Sequence, residues 1–143
     1  MNIASILHEK GHDVFTIKLP KTLLEICSTL REHRIGAILI VDDAGKVAGI
    51  LSERDIVRRI AADGPDALQA DASACMTSSV VTCGPDETIQ AAMARMSEGR
   101  FRHIPVVEDG NLVGMVSIGD LVKRRIADAE REAEDLKNYL YAS

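Results

Sequence analysis

The chain has 143 residues, of which 46% are hydrophobic and only 3% aromatic, with no tryptophan. Its core, in one compact domain or two small halves, must therefore rest on Ile, Val, Leu, Ala and Met. The formal net charge is −5, and residues 128–143 hold five acids against two bases, so the remaining body is nearly neutral, which argues against bulk electrostatic binding of nucleic acid.

The opening stretch MNIASILHEKGHD has neither a basic n-region nor a long apolar run, so no secretory signal is expected. No apolar run approaches the ~20 residues of a bilayer span, so no membrane partner is expected. Cys27, Cys75 and Cys83 form no CxxC pair. They read as reduced thiols in a soluble, cytoplasmic protein.

In chain order, ASILHEKG reads as a short helix. DVFTI reads as a β segment, KLPKT as a turn, and 22–33 as an amphipathic helix with Leu23, Ile26, Cys27 and Leu30 at helical spacing. Thr22 is its N-cap. AILIVDDAGKVAGIL then reads as two apolar strands around an Asp-Asp-Ala-Gly turn, with a second helix starting at Ser52. The small, polar stretch 61–74 reads as a linker. The order then recurs: SVVTC, the turn GPDET, a helix over 88–99 capped by Thr88, the hairpin HIPVVEDGNLVGMV, and a helix from Ser117. That last helix has no Gly or Pro after Gly119 and is expected to run well past the core.

This recurrence is a duplication. Residues 14–43 align with 80–109 without a gap, giving eight identities, and dropping Ala44 aligns 45–60 with 110–125 and adds six more. Fourteen matches in 46 columns mark a repeated structural unit. The expected fold is α/β, more strictly α+β. Two β-α-β-β-α repeats pack as a pseudo-twofold pair with an extended C-terminal helix. The expected divisions are 1–65 (first repeat), 66–75 (linker), 76–127 (second repeat) and 128–143 (helical extension).

The most specific shared feature is a corner, GILSERD in the first repeat and GMVSIGD in the second. Ser followed three residues later by Asp at a helix start is a capping box. A cap alone explains one such motif. Its recurrence beside a glycine and a helix N-terminus also suits a nucleotide. The free N–H groups and partial positive charge receive phosphate, and the carboxylate receives ribose hydroxyls, as in dinucleotide folds.

The pattern V-x-T…P, helix, I-x-V-V-x-D-x-G-x-L-V-G-h-h-S-x-x-D resembles the cystathionine β-synthase (CBS) domain, over about residues 3–126. The resemblance implies a stand-alone tandem pair that binds an adenosine-containing ligand in clefts between its repeats. AMP, ADP or ATP are the implied ligands, with NAD or S-adenosylmethionine as further members of the class. It implies a regulatory role toward a partner protein, homodimerisation, and no catalysis or tightly bound cofactor. It places the ribose carboxylates at Asp55 and Asp120 and their hydroxyls at Ser52 and Ser117. Adenine-contacting strands fall on 13–16 and 77–82, including Thr77, Val81 and Thr82. Arg102 and His103 match phosphate-facing positions, next to Ile104 and Pro105. The first repeat has Gly36 and Ala37 there and carries Arg54 inside its corner instead. The Asp120 site is accordingly expected to bind more tightly than the Asp55 site.

Other readings are weaker. His8 and His12 have metal-ligand spacing, but Gly11 interrupts the helix and no third ligand is in view. No cysteine has a neighbouring base. Arg58, Arg59 and Arg124 read as solvated faces or helix-dipole partners, and no aromatic residues interleave the basic runs to stack bases. The alternative function is a dimerising scaffold whose corners are only helix caps.

Overall fold

The computed structural model describes residues 1–142. Two compact units form: Asp13–Val81 with Glu108–Leu112, and Met1–His12 with Thr82–Val107 and 113–142.

In the first-repeat unit, β1 (Thr16–Ile17) lies parallel to β2 (Ala37–Val41), which pairs antiparallel with β3 (Val47–Ser52). Every residue of β2 is buried, as expected of an apolar run covered on both faces. α2 (Leu23–His33) and α3 (Glu53–Asp63) complete the repeat. Thr22 closes a capping box with Glu25, fixing the start of α2 as the sequence indicates. Leu23, Ile26 and Leu30 of α2 join Ile38, Ile40 and Leu51 of the sheet in one core cluster.

The second-repeat unit carries α4 (Ile89–Gly99), the hairpin β4 (His103–Glu108) and β5 (Asn111–Ser117), and α5 (Ile118–Ala142). Thr88 accepts from the Ala91 N–H at the start of α4. Arg34 and Arg100, matched by the alignment, both end their helices in the left-handed conformation, φ 54° and 57°. α5 runs as one helix of 25 residues, the long extension expected from the sequence.

Two expectations are modified. SVVTC forms no strand, and only an isolated parallel bridge joins Cys83 to Val106. The stretch 61–74 is packed structure: α3 extends through Asp63, short 3₁₀ turns follow, and Ala67 and Ala72 are buried. Small residues permit this burial; a linker reading took their size for flexibility.

The helix read in ASILHEKG is α1 (Ile3–Lys10), and it packs with the second repeat. Its Ile3 N–H donates to Glu87 O at 3.0 Å, and Ile3, Ile6 and Leu7 enter the second-repeat core. Within the first-repeat unit, residues 71–76 do the same work. The Ala72 N–H donates to Lys21 O at 2.7 Å, and Ala72 is fully buried. Each core is thus completed by the segment that precedes the other repeat in sequence.

The corner glycines explain the fit. A Cβ at Gly114 would stand 2.7 Å from Leu7 Cδ2, and one at Gly49 would stand 2.5 Å from Met76 Sδ. The approaching groups are core side chains, a packing role for the glycines in both repeats. Gly114→Ala should destabilise the protein by about 1–3 kcal/mol, the scale of overpacking. Leu7→Ala should then cost markedly less in that background than alone, because the added methyl takes up vacated space. Chemical denaturation of the four proteins of this cycle measures it, and strict additivity would contradict the contact.

Candidate functional site

Each corner is built by the end of a strand turning into a helix. In the first repeat, Ala37 lies opposite Ser52, and the Glu53 N–H donates to Gly36 O at 2.9 Å. In the second, the Ile118 N–H donates to Arg102 O at 2.8 Å. These matched bonds place 36–37 and 102–103 beside their own corners, as the alignment requires.

The carboxylates close both capping boxes. Asp55 Oδ2 accepts from the Ser52 N–H at 2.9 Å and from Ser52 Oγ at 3.0 Å, while the Asp55 N–H donates back to Ser52 Oγ at 3.3 Å. Asp120 Oδ2 accepts from the Ser117 N–H at 2.8 Å, and the Asp120 N–H donates to Ser117 Oγ at 3.2 Å. Ser52, Asp55, Ser117 and Asp120 are all half-buried rather than enclosed. A carboxylate has about four acceptor positions, so each corner retains capacity for a ligand's hydroxyls beside its cap.

The corners differ in a way the alignment did not reveal. Lys10 Nζ, in the last turn of α1, stands 2.6 Å from Asp120 Oδ2. Burial pushes the Asp120 carboxyl up, but its bonds to Lys10 and Ser117 outweigh that and hold it below the ordinary carboxylate range. No ion pair to Asp55 occurs among the described residues. Lys10 is 110 residues from Asp120 in sequence, so only folding of α1 onto the second repeat brings them together.

Within the first-repeat unit, Thr77 exchanges backbone hydrogen bonds with Ile50, both at 2.9 Å, next to the strand that leads into the corner. Arg54 is half-buried and Val81 exposed. In the second-repeat unit, Thr82 O accepts from Arg95 Nη1 at 2.7 Å, and Arg102 is exposed beside a half-buried His103. Ile104 and Pro105 are buried, and the Ile104 side chain is fully inside the core.

Arg59 and Arg124, read from sequence as solvated or as dipole partners, are tethers. Arg124 joins Glu9 of α1 at 2.6 Å and Asp128 at 3.4 Å, with its side chain only 13% exposed. Its counterpart Arg59 pairs with Asp63 at 2.7 Å and donates to Ala74 O at 3.2 Å. The His12 ring donates from Nδ1 to Val113 O at 2.8 Å. Burial pushes Cys83 up to about 11 and also raises Cys27 and Cys75, which keeps these thiols protonated near neutral pH.

Two copies of one α/β unit, each with a hydroxyl–carboxylate corner at a helix start, define a tandem-repeat module. Its family is that of the CBS domain, to which the chain belongs: residues 6–62 and 72–127 each match it. The CBS domain-containing protein YhcV of Bacillus subtilis is 33% identical over 126 residues, covering 88% of this chain and 89% of YhcV. The mitochondrial CBS domain-containing protein CBSX3 of Arabidopsis thaliana is 32% identical over 123 residues, covering 83% of this chain and 60% of CBSX3. Among solved structures, the CBS-domain containing protein ATU1752 from Agrobacterium tumefaciens superposes with TM-score 0.85 at 42% identity, covering 87% of this chain and 99% of that one. The CBS domain pair of protein MJ0100, in complex with 5′-methylthioadenosine and S-adenosyl-L-methionine, gives TM-score 0.78 at 25% identity, over 90% and 98% of the two chains. No helix among the described residues is long and apolar enough to cross a membrane.

The Lys10–Asp120 pair gives stability a pH dependence. Because the folded-state pKa of Asp120 is depressed, the pair's stabilisation is present above the unfolded carboxylate pKa and is lost as pH falls through the lower folded value. With the side chains 37% and 27% exposed, its size at pH 7 should not exceed about 1 kcal/mol. The unfolding free energies of wild type and Lys10→Met should therefore differ by up to that amount at pH 7 and converge below the carboxylate range. A difference that grows on acidification would contradict the assignment.

Proposed function

We propose that the protein is a regulatory sensor of adenine nucleotides of the AMP, ADP or ATP type. The observation that carries this reading is the duplicated corner at a helix N-terminus, joined in the second repeat by Lys10 and preceded there by Arg102 and His103. The helix N-terminus and the basic side chains offer donors to phosphate. Asp120 and Asp55 offer acceptors to ribose hydroxyls. The adenosine ligands of the MJ0100 pair support the ligand class, and NAD or S-adenosylmethionine belongs to the same class. Ligand and unliganded states present different surfaces to a regulated protein, and their differential affinity for nucleotide provides the signal.

Thr77, Val81 and Thr82 are proposed for the adenine wall, with Arg54 the cation of the Asp55 corner and Ile104 and Pro105 the support behind Arg102 and His103. The scaffold alternative draws on one observation: both carboxylates already cap their helices without any ligand. Calorimetry with AMP separates the two. Asp120→Ala should lose more affinity than Asp55→Ala, and Asp120→Asn should lose tenfold or more at a stability cost within about 1 kcal/mol, the scale of a cap. Equal losses at the two corners would remove the asymmetry. Unchanged affinity with a large loss of stability would favour the scaffold.

A homodimer is part of the same proposal. Leu136, Tyr139 and Leu140 are 60%, 75% and 64% exposed on α5, an i, i+3, i+4 stripe on a segment rich in acids. A groove between α2 and α3 offers Leu30, Ile56, Val57 and Ile60 with Arg31 and Arg34 at its edge. Apolar and charge complementarity commit the stripe to the groove of a second copy. Light scattering should report a dimer for the full chain and a weakened one for a chain ending at Ala127. A monomeric full chain refutes the dimer, and a dimer untouched by truncation refutes the stripe's role.

A further inference from the structure

The internal repeat provides its own control for Lys10. Residues 2–7 in the second-repeat unit correspond to 71–76 in the first-repeat unit, and there the likeness ends. Asn2 bridges Thr88 as Asp71 bridges Thr22, Ile3 and Ala72 donate to matched carbonyls, and Leu7 and Met76 press on matched glycines. Beyond that stretch α1 continues as helix to Lys10, whereas in the first-repeat unit Thr77 turns away to pair with Ile50, and no ion pair reaches Asp55 among the described residues. One corner therefore has its carboxylate neutralised by an ammonium at 2.6 Å. The other has a carboxylate engaged by its serine.

This difference matters for ligand charge. A bare carboxylate at a ribose subsite repels a nearby phosphate and attracts a cation. An ammonium beside it cancels that preference, and the effect persists at the short, partly desolvated separations of a half-buried corner. Arg102, whose backbone closes the same corner through Ile118, adds a second positive charge on the strand side. Lys10 need not leave when a ribose binds, because Oδ2 is one of two carboxylate oxygens and the ammonium has three donors.

We infer that Lys10 is the specificity-determining residue of the second-repeat corner, selecting anionic adenosine ligands such as AMP over the cationic S-adenosylmethionine, whereas the first-repeat corner lacks this selection. The inference rests on the adenosine-binding reading and goes beyond it, because it assigns the charge selection of one corner to a residue that the other corner does not have. Lys10 also ties α1 to α5, alongside the Arg124–Glu9 pair, so its test must separate selectivity from anchoring.

The experiment uses the full chain carrying Asp55→Asn, which leaves the second-repeat corner as the one read out. Calorimetry with AMP and with S-adenosylmethionine gives the ratio of their dissociation constants. The expected ratio favours AMP by tenfold or more, falls at least fivefold in Lys10→Met, and is retained in Lys10→Arg. An anchoring role alone would lower the melting temperature and weaken both ligands alike; an unchanged ratio in Lys10→Met overturns the inference. AMP binding without selectivity in the Lys10 protein overturns it also, leaving the nucleotide reading intact. Absence of AMP binding to the wild-type chain removes both.

Discussion

The seating of Leu7 against the backbone of Gly114 is the contact on which the second-repeat unit depends. A side chain at that glycine would force Leu7 to shift from its seat against β5. With α1 in place, Ile3, Ile6 and Leu7 complete the core, Glu9 reaches Arg124, and Lys10 reaches Asp120. The first-repeat unit meets the same need with Met76 on Gly49 and with Arg59 bonded to Ala74. A packing requirement thus determines which charged groups surround each corner.

At the corners, stability and binding share atoms. The Ser–x–x–Asp box satisfies backbone donors that a helix start would otherwise leave unpaired, so the corner is pre-formed before any ligand arrives. Pre-formed acceptors need little ordering on binding, which favours affinity. The basic group that accompanies each corner comes from a different place: α1 and the strand start in one repeat, and the corner's own Arg54 in the other. Duplication has kept the carboxylate and varied its surroundings.

Much of this was legible in the sequence. The repeats, the caps at Thr22, Thr88, Ser52 and Ser117, and the length of α5 could be read from the chain, because each rests on local chemistry or periodicity. Segment exchange was not legible, since nothing local to ASILHEKG distinguishes packing on the first repeat from packing on the second. Lys10 was missed for that reason. Arg124 was missed because a basic residue near apolar neighbours reads as solvated until Glu9 is brought beside it. The stretch 61–74 misled through composition: Ala and Gly are small enough to be buried as well as flexible. SVVTC has strand composition but finds only one bridging partner, Val106.

The central claim is that the Asp120 corner receives the ribose of an adenine nucleotide. Crystals of the full chain grown with AMP test it most directly. The account predicts both ribose hydroxyls at hydrogen-bond distance, roughly 2.5–3.0 Å, from the Asp120 carboxylate, with the phosphate toward Arg102 and the start of α5. AMP bound away from both carboxylates, with Asp120 still engaged only by Ser117 and Lys10, would contradict it.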